Sequence, residues 1–171
     1  MQNIANAKQR TSVAMKIFMF ILSGLLTLSI GSLMGLVGGA KEGYSGLNRP
    51  IFTPPDIVFP IAWSILYFIM GGAFYLVIDS ATVSREQKTL RTVSIALFII
   101  QFVVNIVWPI IFFRADMYLF AFVWLCILVA LVVALTIITF KVNKASAIML
   151  IPYVAWLIFA SYLNLMVLVF N

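Results

Sequence analysis

Histidine is absent from this chain of 171 residues. That absence removes the commonest transition-metal ligand and the usual general base of neutral-pH catalysis. Cysteine occurs once, as Cys126, which excludes an internal disulfide and any thiolate cluster for zinc or iron–sulfur chemistry. Charge is scarce as well: 9% of the residues are Asp, Glu, Lys or Arg, against about 25% in an average soluble domain. With 64% hydrophobic residues and a mean hydropathy of +1.16, a water-soluble fold of this size could not cover its surface with polar groups. The chain reads as an integral membrane protein whose solvent is mostly lipid. Its net charge of +6 comes from basic residues scattered along the sequence, so a nucleic-acid partner is not expected.

Crossing a hydrocarbon core about 30 Å thick takes about 20 apolar helical residues. Five segments meet that length, at roughly 13–38, 57–78, 92–113, 117–140 and 146–170. They are continuously apolar and lack the alternation of a transmembrane barrel, and a helix satisfies its own backbone in lipid. The expected fold is an all-α integral membrane protein, a single bundle of five transmembrane helices. The first run is too long for a signal-peptide core. Short connections after the second, third and fourth spans predict antiparallel neighbours. The stretch at about 39–56 is longer and holds Gly39, Gly43, Gly46, Pro50, Pro54 and Pro55, as a ligand-gating loop or a stiffened linker would.

Orientation follows from the cations. Lys8, Arg10, Lys16, Arg85, Lys88, Arg91, Lys141 and Lys144 fall on one side, while Lys41, Arg49 and Arg114 fall on the other. This bias predicts a cytoplasmic N-terminus and an external C-terminus, most simply in a bacterial inner membrane. No Asp, Glu, Lys or Arg lies in the middle of any span, and Lys16 can snorkel from the start of the first. Proton-coupled exporters normally bury an ionisable group, so that class is disfavoured.

The spans carry aromatic and amide groups instead. Gln101, Asn105, Trp108 and Phe112 recur at spacings that put them on one helical face. A side-chain amide without a partner is costly in hydrocarbon, so Gln101 and Asn105 should point into the bundle. Pro109 removes the hydrogen bond to the Asn105 carbonyl. The second span repeats the design with Trp63, Tyr67, Met70 and Phe74, and the fifth with Tyr153, Trp156, Ala160 and Asn164 beside Pro152. Two readings stay open: interhelical glue, or a pocket for a flat, largely apolar ligand with a few polar groups. Trp108 and Trp156 sit several residues inside their spans, where their N–H groups need partners. Gly31, Gly35 and Gly39, with Gly71 and Gly72, are either a dimer seam or close packing within one subunit. Cys126 reads as a small buried hydrophobe.

Three blocks carry a family resemblance. Tyr44 to Val77 (YSGLNRPIFTPPDIVFPIAWSILYFIMGGAFYLV), Asn105 to Phe113 (NIVWPIIFF) and Leu150 to Asn164 (LIPYVAWLIFASYLN) resemble the tryptophan-rich sensory protein (TspO/MBR) family. That family includes the mitochondrial translocator protein, or peripheral benzodiazepine receptor. The blocks keep the family's order, and the resemblance extends from about residue 13 over nearly the whole chain. It implies a five-helix bundle, commonly a homodimer, that binds porphyrins such as protoporphyrin IX and isoquinoline or benzodiazepine-type drugs under the loop after the first helix. Some bacterial members are said to promote light-dependent porphyrin breakdown through tryptophans that map onto Trp63 and Trp156. The helix-3 asparagine maps onto Asn105, and the loop tyrosine and prolines onto Tyr44, Pro54 and Pro55. The chain departs from the family pattern at Gly43 and Phe52, where the loop usually has tryptophan. It also lacks the cholesterol motif, with Leu165 and Val169 in place of its tyrosine and basic residue, so sterol transport is not carried over.

Together these readings give an expected ligand set of Tyr44, Pro54, Pro55, Trp63, Tyr67, Gln101, Asn105, Trp108, Tyr153 and Trp156. No metal and no resident cofactor are expected, and the ligand is protoporphyrin IX or a related tetrapyrrole. The leading expectation is a porphyrin receptor or carrier. The alternatives are a light-dependent porphyrin-degrading enzyme using Trp63 and Trp156, and a stress-response regulator acting through a protein partner.

Overall fold

A computed structural model describes residues 2–40, 47–48, 50 and 52–171, with side chains described from Val13 onward. Five helices make up the described residues: α1 (Gln2–Val37), α2 (Val58–Ile78), α3 (Arg85–Pro109), α4 (Tyr118–Phe140) and α5 (Lys144–Phe170). α3 runs on into a wider π-turn at Ile110–Arg114. Each helix is long and apolar enough to cross a membrane, and no strand occurs among the described residues. The protein is an integral, multi-pass, all-α membrane protein.

Local chemistry sets the ends. α3 begins at Arg85 rather than near residue 92, because Ser84 and Gln87 form a reciprocal capping box ahead of the apolar run. Asn143 caps α5 by accepting from the Ser146 backbone N–H at 3.0 Å. α1 stops where Gly39 adopts φ +80°, with Ala40 N–H donating to the Gly35 carbonyl and Gly39 N–H to the Leu36 carbonyl. Those two bonds are the Schellman pattern, for which a left-handed glycine is the least strained residue. Gly39 therefore terminates the helix and does not share the packing role expected of Gly31 and Gly35. Pro109 does not break α3; beyond it, Ala115 N–H reaches back to the Ile110 carbonyl at 3.0 Å.

Packing around the bundle follows the order α1, α2, α5, α4, α3. α2 leans mainly on α1 and α5 and meets its sequence neighbour α3 more lightly, so the expected side-by-side pairing of consecutive helices holds least well there. Close packing of α1 on α2 rests on small residues. A Cβ on Gly71 would overlap the Ser23 carbonyl, Thr27 Oγ1 and the Gly24 backbone, and one on Gly31 would enter the Tyr67 ring. Ser23 Oγ donates to the Gly71 carbonyl at 2.7 Å and Thr27 Oγ1 to the Tyr67 carbonyl at 2.8 Å. Within the described residues these glycines serve packing inside one subunit. Gly35 differs, since a Cβ there would meet nothing within 4 Å.

The inward stripe of α4 is Leu125, Leu128, Val132 and Leu135, all buried, while the outer faces of all five helices present Ile, Leu, Val and Phe. Cys126 faces outward with them and is exposed, correcting its expected burial: it follows Leu125 on α4 and points away from the stripe. At one end of the bundle Lys16 snorkels from α1 to an ion pair with Asp79 at 2.8 Å, and Arg91 donates to the Ser80 carbonyl.

Candidate functional site

Between the helices lies a cavity of about 570 Å³. α1 contributes only Gly31, Ser32, Gly35 and Leu36 to its wall, and this is where the small residues matter most: side chains at Gly31 and Gly35 would fill the space. α2 gives Phe59, Trp63 and Tyr67, α3 gives Asn105 and Trp108, and α5 gives Trp156, Ala160 and Asn164. Leu125 and Leu128 of α4 close the far side, and Asp56 stands at the loop end.

The polar groups beside it form a chain of hydrogen bonds across three helices. Tyr67 Oη donates to Asn105 Oδ1 at 2.7 Å, and Asn105 Nδ2 donates to Tyr153 Oη at 2.7 Å. Tyr153 Oη donates in turn to Gln101 Oε1 at 3.0 Å, and Gln101 Nε2 reaches the Phe98 carbonyl and Met70 Sδ. Interhelical glue is thus present, and it joins α2, α3 and α5. Its effect on the site is to hold the Asn105 amide in one orientation, with one further amide hydrogen to offer.

The aromatic walls are ordered by contact. Trp63 stacks on Tyr67 with ring centroids 5.4 Å apart, and meets Trp156 edge to face at 6.3 Å and 87°. Trp108 stacks on Phe112 at 4.8 Å, and its N–H points to Asn164 Oδ1 at 3.4 Å. Asn164 is itself fixed through Nδ2 to the Tyr118 carbonyl at 3.0 Å. The expected partner of the Trp156 N–H does not exist among the described residues: Nε1 is buried and makes no hydrogen bond.

Of the residues singled out by sequence, Trp63, Tyr67, Asn105, Trp108 and Trp156 line the cavity together. Gln101 and Tyr153 are buried behind it, as the outer links of the chain that holds Asn105. Pro54 and Pro55 do not line it, and Tyr44 lies outside the described residues. Sequence reasoning missed Phe59, Asp56, Leu125, Leu128 and the α1 wall as site residues. Only the α1 wall left a signal, in the spacing of Gly31 and Gly35. The fourth tryptophan, Trp124, is elsewhere and donates to the Val104 carbonyl at 2.8 Å. Among the described residues no three His, Cys, Asp or Glu side chains come together as metal ligands.

A model of the TspO/MBR family matches residues 20–170. The chain belongs to this family. The match spans every cavity-lining residue and all of α2 to α5. The TspO/MBR chain described here is 35% identical over 129 residues to the tryptophan-rich protein TspO of Chlorobaculum tepidum, covering 75% of this chain and 78% of that one. It is 30% identical over 161 residues to the TspO of Archaeoglobus fulgidus, covering 92% and 99%. Similarity extends to the human translocator protein, at 33% identity over 142 residues, covering 81% and 82%.

Proposed function

We propose that this TspO/MBR protein is a membrane receptor or carrier that binds planar tetrapyrroles of the protoporphyrin IX type in the cavity among its helices. The same cavity takes flat isoquinoline and benzodiazepine-type ligands. The observation that carries this reading is the convergence of Trp63, Asn105, Trp108 and Trp156 from three helices on one cavity. The volume of about 570 Å³ falls within the roughly 300–1,000 Å³ typical of small-molecule sites. Trp63 and Trp108 give flat faces for a ring, and the remaining amide hydrogen of Asn105 serves a ring nitrogen or a propionate. The lack of histidine favours a free-base porphyrin over a histidine-ligated haem. The protein works without a resident cofactor, as a homodimer in a bacterial inner membrane with its N-terminus in the cytoplasm.

Titration with protoporphyrin IX in detergent, followed by tryptophan quenching and by the porphyrin absorption band, tests the reading. Removing both Trp63 and Trp156 as phenylalanines should weaken binding about tenfold or more, as loss of central aromatic anchors does elsewhere. Unchanged affinity in that double variant would reject the pocket.

A second reading, light-dependent porphyrin breakdown, is favoured by the contact between Trp63 and Trp156, two indoles that both line the cavity. Ring opening is an oxidation, so dissolved dioxygen would be the oxidant that the excited porphyrin activates, and a neighbouring indole can trap or relay the resulting radical without any acid–base dyad. Illumination should then bleach the bound porphyrin faster than the free one, and the excess should vanish in the Trp63→Phe/Trp156→Phe variant. Equal bleaching with and without protein would leave only the receptor.

A further inference from the structure

Trp156 borders two spaces. It lines the internal cavity and also a groove of about 430 Å³ between α2 and α5, beside the exposed residues Ile65 and Ala155. Ala62, Ile65 and Leu66 of α2 and Pro152, Ala155 and Phe159 of α5 form the rest of that groove. It carries no charged group, hydroxyl or amide, so an apolar molecule dissolved in lipid enters it without stripping water from the protein. The opening exists because two of the facing side chains are alanines. Among the described residues, Trp156 is the one that lines both the groove and the cavity.

What holds that ring in place is weak in kind. Trp108 and Trp124 each have an N–H hydrogen bond to fix the side chain, to Asn164 Oδ1 and the Val104 carbonyl. Trp156 has none, and its contacts are edge-to-face or tilted meetings with Trp63, Phe59 and Phe159 at 5.7–6.3 Å between centroids. Such contacts are largely non-directional and can be exchanged for others as the ring turns. No hydrogen bond within the protein is lost when it moves.

From this geometry we infer that the α2–α5 groove is a lateral entrance from the bilayer, with the Trp156 ring as its door, and that its cargo is a planar, largely apolar aromatic ring system, with or without peripheral carboxyl groups, that has partitioned into lipid. The inference rests on the proposed ligand class. It adds a site on the outer surface and a second role for Trp156, as the side chain that must turn for the ligand to pass.

Filling the groove from outside tests this without touching the cavity, since neither Ala155 nor Ala62 lines it. Protein in phospholipid nanodiscs is mixed with protoporphyrin IX in a stopped-flow instrument and tryptophan quenching is followed, for the parent, for Ala155→Phe and for Ala62→Phe. Far-UV dichroism and thermal unfolding check that each variant is folded, and the two variants approach the groove from different helices. Closing an entrance should slow association and dissociation alike, by about tenfold, and leave the equilibrium constant where it was. Equal rates in parent and folded variants would overturn the entrance while leaving the receptor intact. Slower association with weaker equilibrium binding would also overturn it, by showing a damaged pocket in place of a blocked path. A parent that does not bind porphyrin at equilibrium would remove both the ligand class and the entrance built on it.

Discussion

Asn105 carries more of the bundle than its size implies. Its Oδ1 and Nδ2 meet a tyrosine from α2 and a tyrosine from α5, each at 2.7 Å. Both Asn105 and Tyr67 are buried, so removing the amide strands the Tyr67 hydroxyl, which costs about 1–3 kcal/mol. Asn105→Leu should therefore lower the thermal unfolding midpoint in detergent clearly, and Gln101→Leu should do so less, because Tyr153 keeps its bond from Asn105. Equal midpoints for Asn105→Leu and the parent would show that the chain of bonds does not hold the helices. The inward aim of these residues was legible from spacing alone, since an amide in hydrocarbon has nowhere else to go. Which residue bonds which was not, because one-dimensional spacing cannot tell a lining residue such as Asn105 from Gln101 one turn away, shut off behind Tyr153. Cys126 shows the same limit. α4 is apolar all round, so its sequence gives no sign of which side is inside.

Two glycines at the scale of the α1–α2 pair separate packing from open space. Gly71 touches the Ser23 carbonyl and Gly24 backbone, which cannot give way cheaply, so Gly71→Val should destabilise by about 1–3 kcal/mol or more through overpacking. Gly35 faces the cavity with nothing within 4 Å, and Gly35→Ala should leave stability unchanged or raise it by roughly 0.5–1 kcal/mol, as expected inside a helix. Unfolding midpoints of the two variants in one detergent decide the matter, and a loss at Gly35 as large as that at Gly71 would contradict this division. The number of spans could be read directly, because length and continuous hydropathy are sufficient for a helix in lipid. Their ends could not: hydropathy is blind to the polar first turns of α3, which the Ser84–Gln87 capping box holds in helix. Ser23 and Thr27 left no hydropathy signal either, although both bind α2 backbone carbonyls.

Across the whole molecule, the charged ends argue for one orientation. Lys16 pairs with Asp79, the α2–α3 turn carries Arg85, Lys88 and Arg91, and the α4–α5 turn carries Lys141 and Lys144, so these groups gather at a single end of the bundle. At the other end the described residues contribute Arg114, whose guanidinium donates to the Val37 carbonyl at the end of α1. Positive loops are retained on the cytoplasmic side during insertion, because moving them across opposes both hydration and the membrane potential. The turns provide sites to measure this. Val83 is 92% exposed beside the cationic cluster, and Ala115 is exposed near the opposite end. Cys126 is first replaced by serine, so that the introduced cysteine is the sole thiol in each variant. In intact bacterial cells a membrane-impermeant maleimide should then label Ala115→Cys readily and leave Val83→Cys untouched until the membrane is permeabilised. The reverse pattern would invert the bundle, placing the loop end of the cavity toward the cytoplasm. The lateral entrance would survive that reversal, because a groove facing hydrocarbon is reached from the bilayer whichever way the helices run.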